Sequence, residues 1–167
     1  TVGTAVISEK LADLTAEVKP GLAYTAGLLH DIGKVVLDQH IASAYPLFYR
    51  QLFEENANFN EAEKKILGVD HTEVGHDLAL KWSLSESLAD TIRHHHNPEE
   101  TARNAELTNI VYLADLIMSR FHTGLELERL STATLSSRLR TIGCSIEKFS
   151  EIVDLIPAGV FKSEPEL

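Results

Sequence analysis

The chain has 167 residues, 44% apolar and 24% charged, and its 15 basic side chains against 25 acidic ones give a formal charge of −10. This describes one globular domain, residues 1–167, long enough for a real core and neither disordered nor fibrous. The acidic excess argues against nucleic acid or an anionic membrane as the main partner, no apolar run approaches the roughly 18 residues of a membrane span, and no signal peptide is visible.

Residues 2–18 place Val2, Ala5, Val6, Leu11 and Leu14 at helical spacing, with Pro20-Gly21 expected to close that helix. Residues 22–30 read as a buried helix ending at Leu28-Leu29-His30-Asp31-Ile32-Gly33-Lys34. Residues 35–53 continue as one long helix or two, since Pro46 would kink it or start another. Three Asn within 56–60 predict a loop, after which Asn60, with Glu63 three residues on, has the spacing of a capping box for a helix ending at Gly68. Asp70-His71-Thr72-Glu73 repeats that signature and opens a helix to Trp82; Ser83-Leu84-Ser85-Glu86 repeats it again and opens one to about His96, stopped by Asn97-Pro98. Residues 105–121 form the most apolar helix, ended by His122-Thr123-Gly124. Two more helices are expected at 131–140, capped by Ser131 and ended by Gly143, and at 145–155, before a frayed tail over 161–167. No strand alternation, repeat or low-complexity segment stands out, and the fold class expected is all-α.

Cys144 is alone, which removes intrachain disulfides and cysteine metal motifs, and a cytoplasmic protein is expected. The chain opens at Thr1, without Met and already inside a helical pattern, so a fragment is expected.

Polar residues on apolar helix faces carry the functional signal. His30 and Asp31 stand side by side beside a core run, where such groups are unfavourable unless paired. Positions three and four apart share a helix face, which puts His71 with Val74, Gly75, Leu78 and Trp82, and leaves His76 off that face. His95 and His96 extend the Leu84, Leu88, Ile92 stripe, whereas His94 points away. Asp115 lies between Val111 and Met118 on the core side of the most apolar helix. Each has a plain structural alternative: a capped helix end for His30 and Asp31, a satisfied ring for His71, C-terminal fraying for His95 and His96, an interhelix hydrogen bond for Asp115. Taken together they are six inward groups of metal-ligand type, and bundle interiors are where carboxylate–histidine sites are built. The cofactor expected is one or two divalent transition metal ions, Fe, Mn, Zn or Ni.

The order His30-Asp31, His71, His95-His96, Asp115 resembles the HD superfamily of metal-dependent phosphohydrolases. Residues 26–34, with Gly68-Val69-Asp70-His71, Glu73-Val74-Gly75, Trp82, His95-His96 and Pro98, are similar more closely to its HDOD branch, a bacterial signalling output domain. The resemblance covers roughly residues 22–118 and implies an HD-like helical bundle with all six residues as metal ligands. It also implies Asp31 as the shared ligand and Lys34 placed to neutralise a phosphate oxygen, both catalytic if the domain is an enzyme.

Three departures matter. No His precedes His30, where HD enzymes usually add a ligand; Asn97-Pro98 stands where the cyclic di-GMP phosphodiesterase relatives have Glu and later Gly-Tyr-Pro; and most of the helical half that precedes the HD part in HDOD domains is expected to be missing. The function expected is a signalling output module that acts mainly by binding protein partners or fused domains, or a nucleotide or phosphoester ligand, with a retained metal site. The alternatives are a metal-dependent phosphohydrolase acting on a nucleotide or phosphoester, and a plain helical scaffold. A complete ligand set and an open cleft near Lys34 favour the enzyme; a missing first-helix ligand or a plugged cleft favours the module.

Overall fold

Capping chemistry sets most boundaries in the computed structural model, which describes residues 1–15, 17–54, 58–101, 103–123 and 132–155. Nine α-helices and no strand are present among the described residues. They are α1 (Val2–Ala12), α2 (Pro20–Leu29), α3 (Ile32–Tyr49), α4 (Phe59–Leu67), α5 (His71–Lys81), α6 (Glu86–His94), α7 (Ala105–Thr123), α8 (Thr132–Thr141) and α9 (Ile146–Leu155). A π turn, Arg50–Glu54, follows α3 and a 3₁₀ turn, Pro98–Glu100, follows α6. None of these helices is long and apolar enough to cross a membrane. The cap expected at Ser131, the stop at Gly124 and the tail over 161–167 lie outside the described residues.

Four local expectations are corrected. Pro20 opens α2 rather than closing α1, which stops at Ala12: a proline at N1 loses no helical bond, and Lys19 before it is extended (φ −67°, ψ 128°). Of the two options at Pro46, the start of a new helix is not taken: α3 runs through Pro46 as one helix and passes into the π turn. Asn58, not Asn60, caps α4: its side chain accepts from the Glu61 N–H at 2.9 Å, and Glu61 Oε2 accepts from the Asn58 N–H at 2.9 Å. The sequence Asn58-Phe59-Asn60-Glu61-Ala62-Glu63 holds two overlapping boxes of equal spacing, and burial of Ala62 and Glu63 selects the first. Ser85, not Ser83, caps α6. Ser83 is used to end α5 instead: it sits at φ 56°, and the Leu84 N–H reaches back to the Ala79 carbonyl at 2.9 Å.

Helices α1, α2 and α7 share the main core, where Ile7, Leu11, Ala26, Ile110, Val111 and Ile117 are buried. Leu139 of α8 and Phe149 and Ile152 of α9 close it. Each fully buried Leu or Ile there contributes about 1.5–3 kcal/mol. A smaller cluster, Ala79, Ala89 and Ile92 with Leu29, Ile32 and Leu84, joins α5 and α6 to the α2–α3 junction. Two glycines permit the contacts that locate the site. A Cβ on Gly27 would lie 2.6 Å from Ser8 Oγ and 2.9 Å from Ala5 Cα, so α2 lies directly on α1. A Cβ on Gly33 would lie 2.0 Å from the His71 carbonyl oxygen and 2.7 Å from Gly75 N, so α3 crosses the first turn of α5 backbone to backbone.

Candidate metal centre

Helix ends and one helix flank meet at a single place. His30 is the residue after α2, and Asp31 stands at the N-terminal boundary of α3 with its carboxylate free of the helix N–H groups. His71 is the first residue of α5, positioned by the Gly33 crossing and by Asp70, whose side chain accepts from the Thr72 and Glu73 N–H groups. His95 follows α6, His96 follows it in turn, and Asp115 comes from the middle of α7. All six residues line or border one cluster, with Lys34 at its edge.

Three of the rings are oriented by their Nδ1 atoms. His30 Nδ1 donates to the Gly27 carbonyl (2.7 Å), His95 Nδ1 to the Ile92 carbonyl (2.8 Å) and His71 Nδ1 to Glu63 Oε2 (2.6 Å). Each therefore turns Nε2 inward. His71 Nε2 is 3.0 Å from His96 Nε2 and 3.4 Å from Asp31 Oδ1, and His95 Nε2 is 3.7 Å from the same oxygen. One donor atom from each of Asp31, His71, His95 and His96 lies within 4.8 Å of all the others, a group able to hold a metal ion. Donors about 3–4 Å apart are what a coordination sphere of radius about 2 Å requires. On the other side of Asp31, His30 Nε2 is 3.4 Å from Asp31 Oδ2 and 3.3 Å from Asp115 Oδ1. Asp31 thus presents Oδ1 to His71 and His95 and Oδ2 to the His30–Asp115 half.

Two atoms test whether a cation fits. His95 Nε2 and Asp31 Oδ1 are buried and have no hydrogen-bond partner. The Lys34 ammonium donates to Asp31 Oδ2 at 2.9 Å; it lies 2.8 Å from Oδ1, yet Oδ1 has no hydrogen bond of its own. A buried lone pair facing other lone pairs is unfavourable, and a cation among them removes the conflict. The donor set, imidazole nitrogen plus carboxylate, suits a divalent transition metal.

The electrostatics keep two of these rings neutral and both aspartates ionised near pH 7. Burial, with the neighbouring rings of His96, His30 and His71, pushes His95 well below the ordinary 6.5. Burial and His71 hold His96 down at about 4, against the pull of Asp115 and Asp31. Both are neutral near pH 7. Burial also opposes charge on His30, but the Asp115 hydrogen bond and the charges of Asp31 and Asp115 outweigh it and raise that ring. Burial opposes charge on Asp115 too, and His30 overcomes it, lowering the carboxyl to about 2. Asp31 is lowered against burial by His30 and Lys34.

A cleft of about 270 Å³ gives access to the site, lined among others by Thr1, Thr4, Asp31, Lys34, His96 and Asp115. Lys34 does not project into it freely: it rests on Asp31, 5.8 Å above the Phe59 ring. His76 is half-buried beside Asp77, and His94 faces Asp90 and Glu100 away from the cluster. Residue-by-residue reading missed Glu63, which is fully buried against His71, because it fits a cap equally well. It also missed Thr1 and Thr4, which carry no charge signal, and Arg93, which reaches Thr72 Oγ1 at 2.6 Å and ties α6 to the start of α5.

A family model for the HDOD domain matches residues 1–98. The chain belongs to the HDOD family. An uncharacterized protein of Treponema pallidum (strain Nichols) is 40% identical over 86 residues, 47% of this chain and 16% of that protein. An HDOD domain protein of unknown function from Geobacter sulfurreducens has a similar crystal structure, with 27% identity and a TM-score of 0.70 over 93% of this chain and 59% of that one. A candidate signal transduction protein from Marinobacter aquaeolei superposes with a TM-score of 0.73 at 24% identity, covering 96% of this chain and 38% of that one. At that identity the likeness concerns the fold alone. The HDOD chain described here spans less than two thirds of the length of each of these proteins.

Proposed function

We propose that this HDOD chain is a signal-transduction output domain that acts mainly by binding protein partners or fused domains, with a divalent transition metal held in its His/Asp cluster. One observation carries the metal half of this reading: His95 Nε2, buried without a hydrogen-bond partner, lies 3.7 Å from Asp31 Oδ1, which His71 Nε2 and the Lys34 ammonium also approach, at 3.4 and 2.8 Å. His71, His95, His96 and Asp31 would hold one ion, and Asp31 would be shared with a second at His30 and Asp115. Such an ion supplies Lewis-acid charge that neutralises an anionic oxygen. Lys34, once it releases Asp31, would take up further negative charge on a ligand in the cleft. Binding rather than turnover is favoured by the α1 side of the cleft, where Thr1 and Thr4 offer hydroxyls rather than imidazole or carboxylate ligands.

A second reading, a metal-dependent phosphohydrolase on a nucleotide or phosphoester, draws support from the cleft itself, which reaches Asp31, Lys34, His96 and Asp115. Elemental analysis of protein purified without chelator is expected to give near-stoichiometric transition metal, and Asp31→Ala none, with helical circular dichroism retained. Metal-free wild-type protein from metal-replete medium sinks the metal reading. Loaded protein is then offered cyclic di-GMP and nucleoside monophosphates, and weak or absent turnover of the former is expected. Robust turnover that disappears in Asp31→Ala makes the phosphohydrolase reading primary.

A further inference from the structure

Glu63 sits in α4, outside the ligand set, and is a charged residue with no exposed surface. Its Oε2 accepts two hydrogen bonds from one residue, from the His71 backbone N–H at 2.8 Å and from His71 Nδ1 at 2.6 Å. Its Oε1 is buried without a hydrogen-bond partner. The backbone bond satisfies a donor of the first turn of α5 that the helix itself leaves open. The ring bond does something else: it commits the His71 proton to Nδ1 and leaves Nε2 as a lone pair, 3.4 Å from Asp31 Oδ1 and 3.0 Å from His96 Nε2.

We infer that Glu63 is a positioning residue for the metal centre: it fixes the tautomer and orientation of His71 and, through its charge, strengthens His71 as a donor. This rests on the metal reading above. His30 and His95 are oriented by neutral backbone carbonyls, of Gly27 and Ile92, whereas His71 is oriented by a carboxylate. An anionic partner on the far nitrogen of an imidazole raises its basicity toward a cation, and loss of such partners typically weakens metal affinity about 10–100-fold. The inward charge is also better accommodated with a cation on the other side of the ring, because a buried carboxylate is unfavourable without one.

A purely structural staple between α4 and α5 would give the same hydrogen bonds, so the test must separate affinity from folding. Glu63→Gln keeps an oxygen able to accept from both N–H groups and removes the charge. Metal-stripped wild type and Glu63→Gln are titrated with Co²⁺ or Zn²⁺ against a competing chelator, and the metal-free melting temperature of each is recorded. The expected result is a Kd at least tenfold weaker in a variant that folds and retains wild-type stoichiometry. A Kd within threefold of wild type overturns the assignment, whatever the melting temperature does. Wild-type protein that takes no metal overturns the metal reading and this assignment together, which distinguishes the two failures. If Glu63→Gln does not fold, ¹⁵N-histidine spectra of the metal-free wild type decide. A proton on His71 Nδ1 supports the role, and one on Nε2 overturns it.

Discussion

His94, His95 and His96 are adjacent in the chain yet occupy three different environments. His95 is fully enclosed with an unpartnered Nε2, His96 lies against His71, and His94 faces Asp90 and Glu100 outside the cluster. Helical phase separates His94, the last residue of α6, from His95, whose backbone stays helical (φ −63°, ψ −18°) and so turns by about 100°, and His96 lies in the turn that follows. His95→Ala and His96→Ala are therefore expected to lower bound metal at least tenfold, and His94→Ala to leave it unchanged, by elemental analysis of the three purified variants. Equal loss in all three would mean that the end of α6 is misassigned. The same residues show where legibility in the sequence stops. The stripe from Leu88 through Ile92 is enough to turn His95 inward, but that Asp31 Oδ1 is its neighbour depends on how α3 crosses α5.

That crossing belongs to the scale of elements. Gly33 lets α3 rest on the first turn of α5, and with it Asp31 reaches His71. Gly33→Ala would put a methyl 2.0 Å from a backbone carbonyl, which no rotamer change relieves. The expected cost is about 3 kcal/mol or more, the upper end of overpacking effects, together with loss of metal because Asp31 and His71 are forced apart. Gly21→Ala is the control: a Cβ there meets nothing within 4 Å, and helix propensity predicts a gain of up to about 1 kcal/mol. Urea unfolding of the two variants beside wild type checks both signs, and comparable stability for all three would remove the crossing from the account.

On the scale of the whole molecule, the buried histidines give the metal-free protein a pH optimum. His95 and His96 are held below 6.5, first by burial, so the folded state declines protons that the unfolded chain accepts. Their contribution is present above 6.5 and lost as the pH falls, with His96 accounting for the change down to about 4. His30 runs the other way. Burial opposes its charge, but Asp115 and Asp31 raise it, so its contribution is present below 6.5 and lost as the pH rises through its raised value. Two groups act on the acid side and one on the alkaline side, and each proton carries a limiting slope of about 1.4 kcal/mol per pH unit. Chelated protein is thus expected to be most stable near pH 6.5–7, with the steeper decline toward acid. Metal-loaded protein should lose the alkaline decline, because an ion takes the place of the His30 proton. Urea melts between pH 5 and 9, with and without chelator, measure the two profiles, and identical curves would argue against an ion at these rings.

Local chemistry in the chain determined much of this. Apolar spacing of three and four made every element helical, Asp70 and Gly68 marked where α5 starts and α4 stops, and the inward phase of His71, His95 and Asp115 followed from their neighbours on the same faces. The choices left to tertiary structure were those in which two local solutions had equal standing. Asn58 and Asn60 each begin a capping box, and burial of Ala62 and Glu63 selected Asn58 and so released Glu63 to put its carboxylate on His71. Lys34 carries the same charge whether it faces solvent, a ligand or Asp31, and the fold put it on Asp31. Asp115 is 84 positions from Asp31 in the chain, and the division of the site into two halves about Asp31 exists only once α7 lies against α1 and α2. Caps and periodicity are written within a few residues; the partner of a buried charge is fixed by long-range packing, which short sequence windows do not contain.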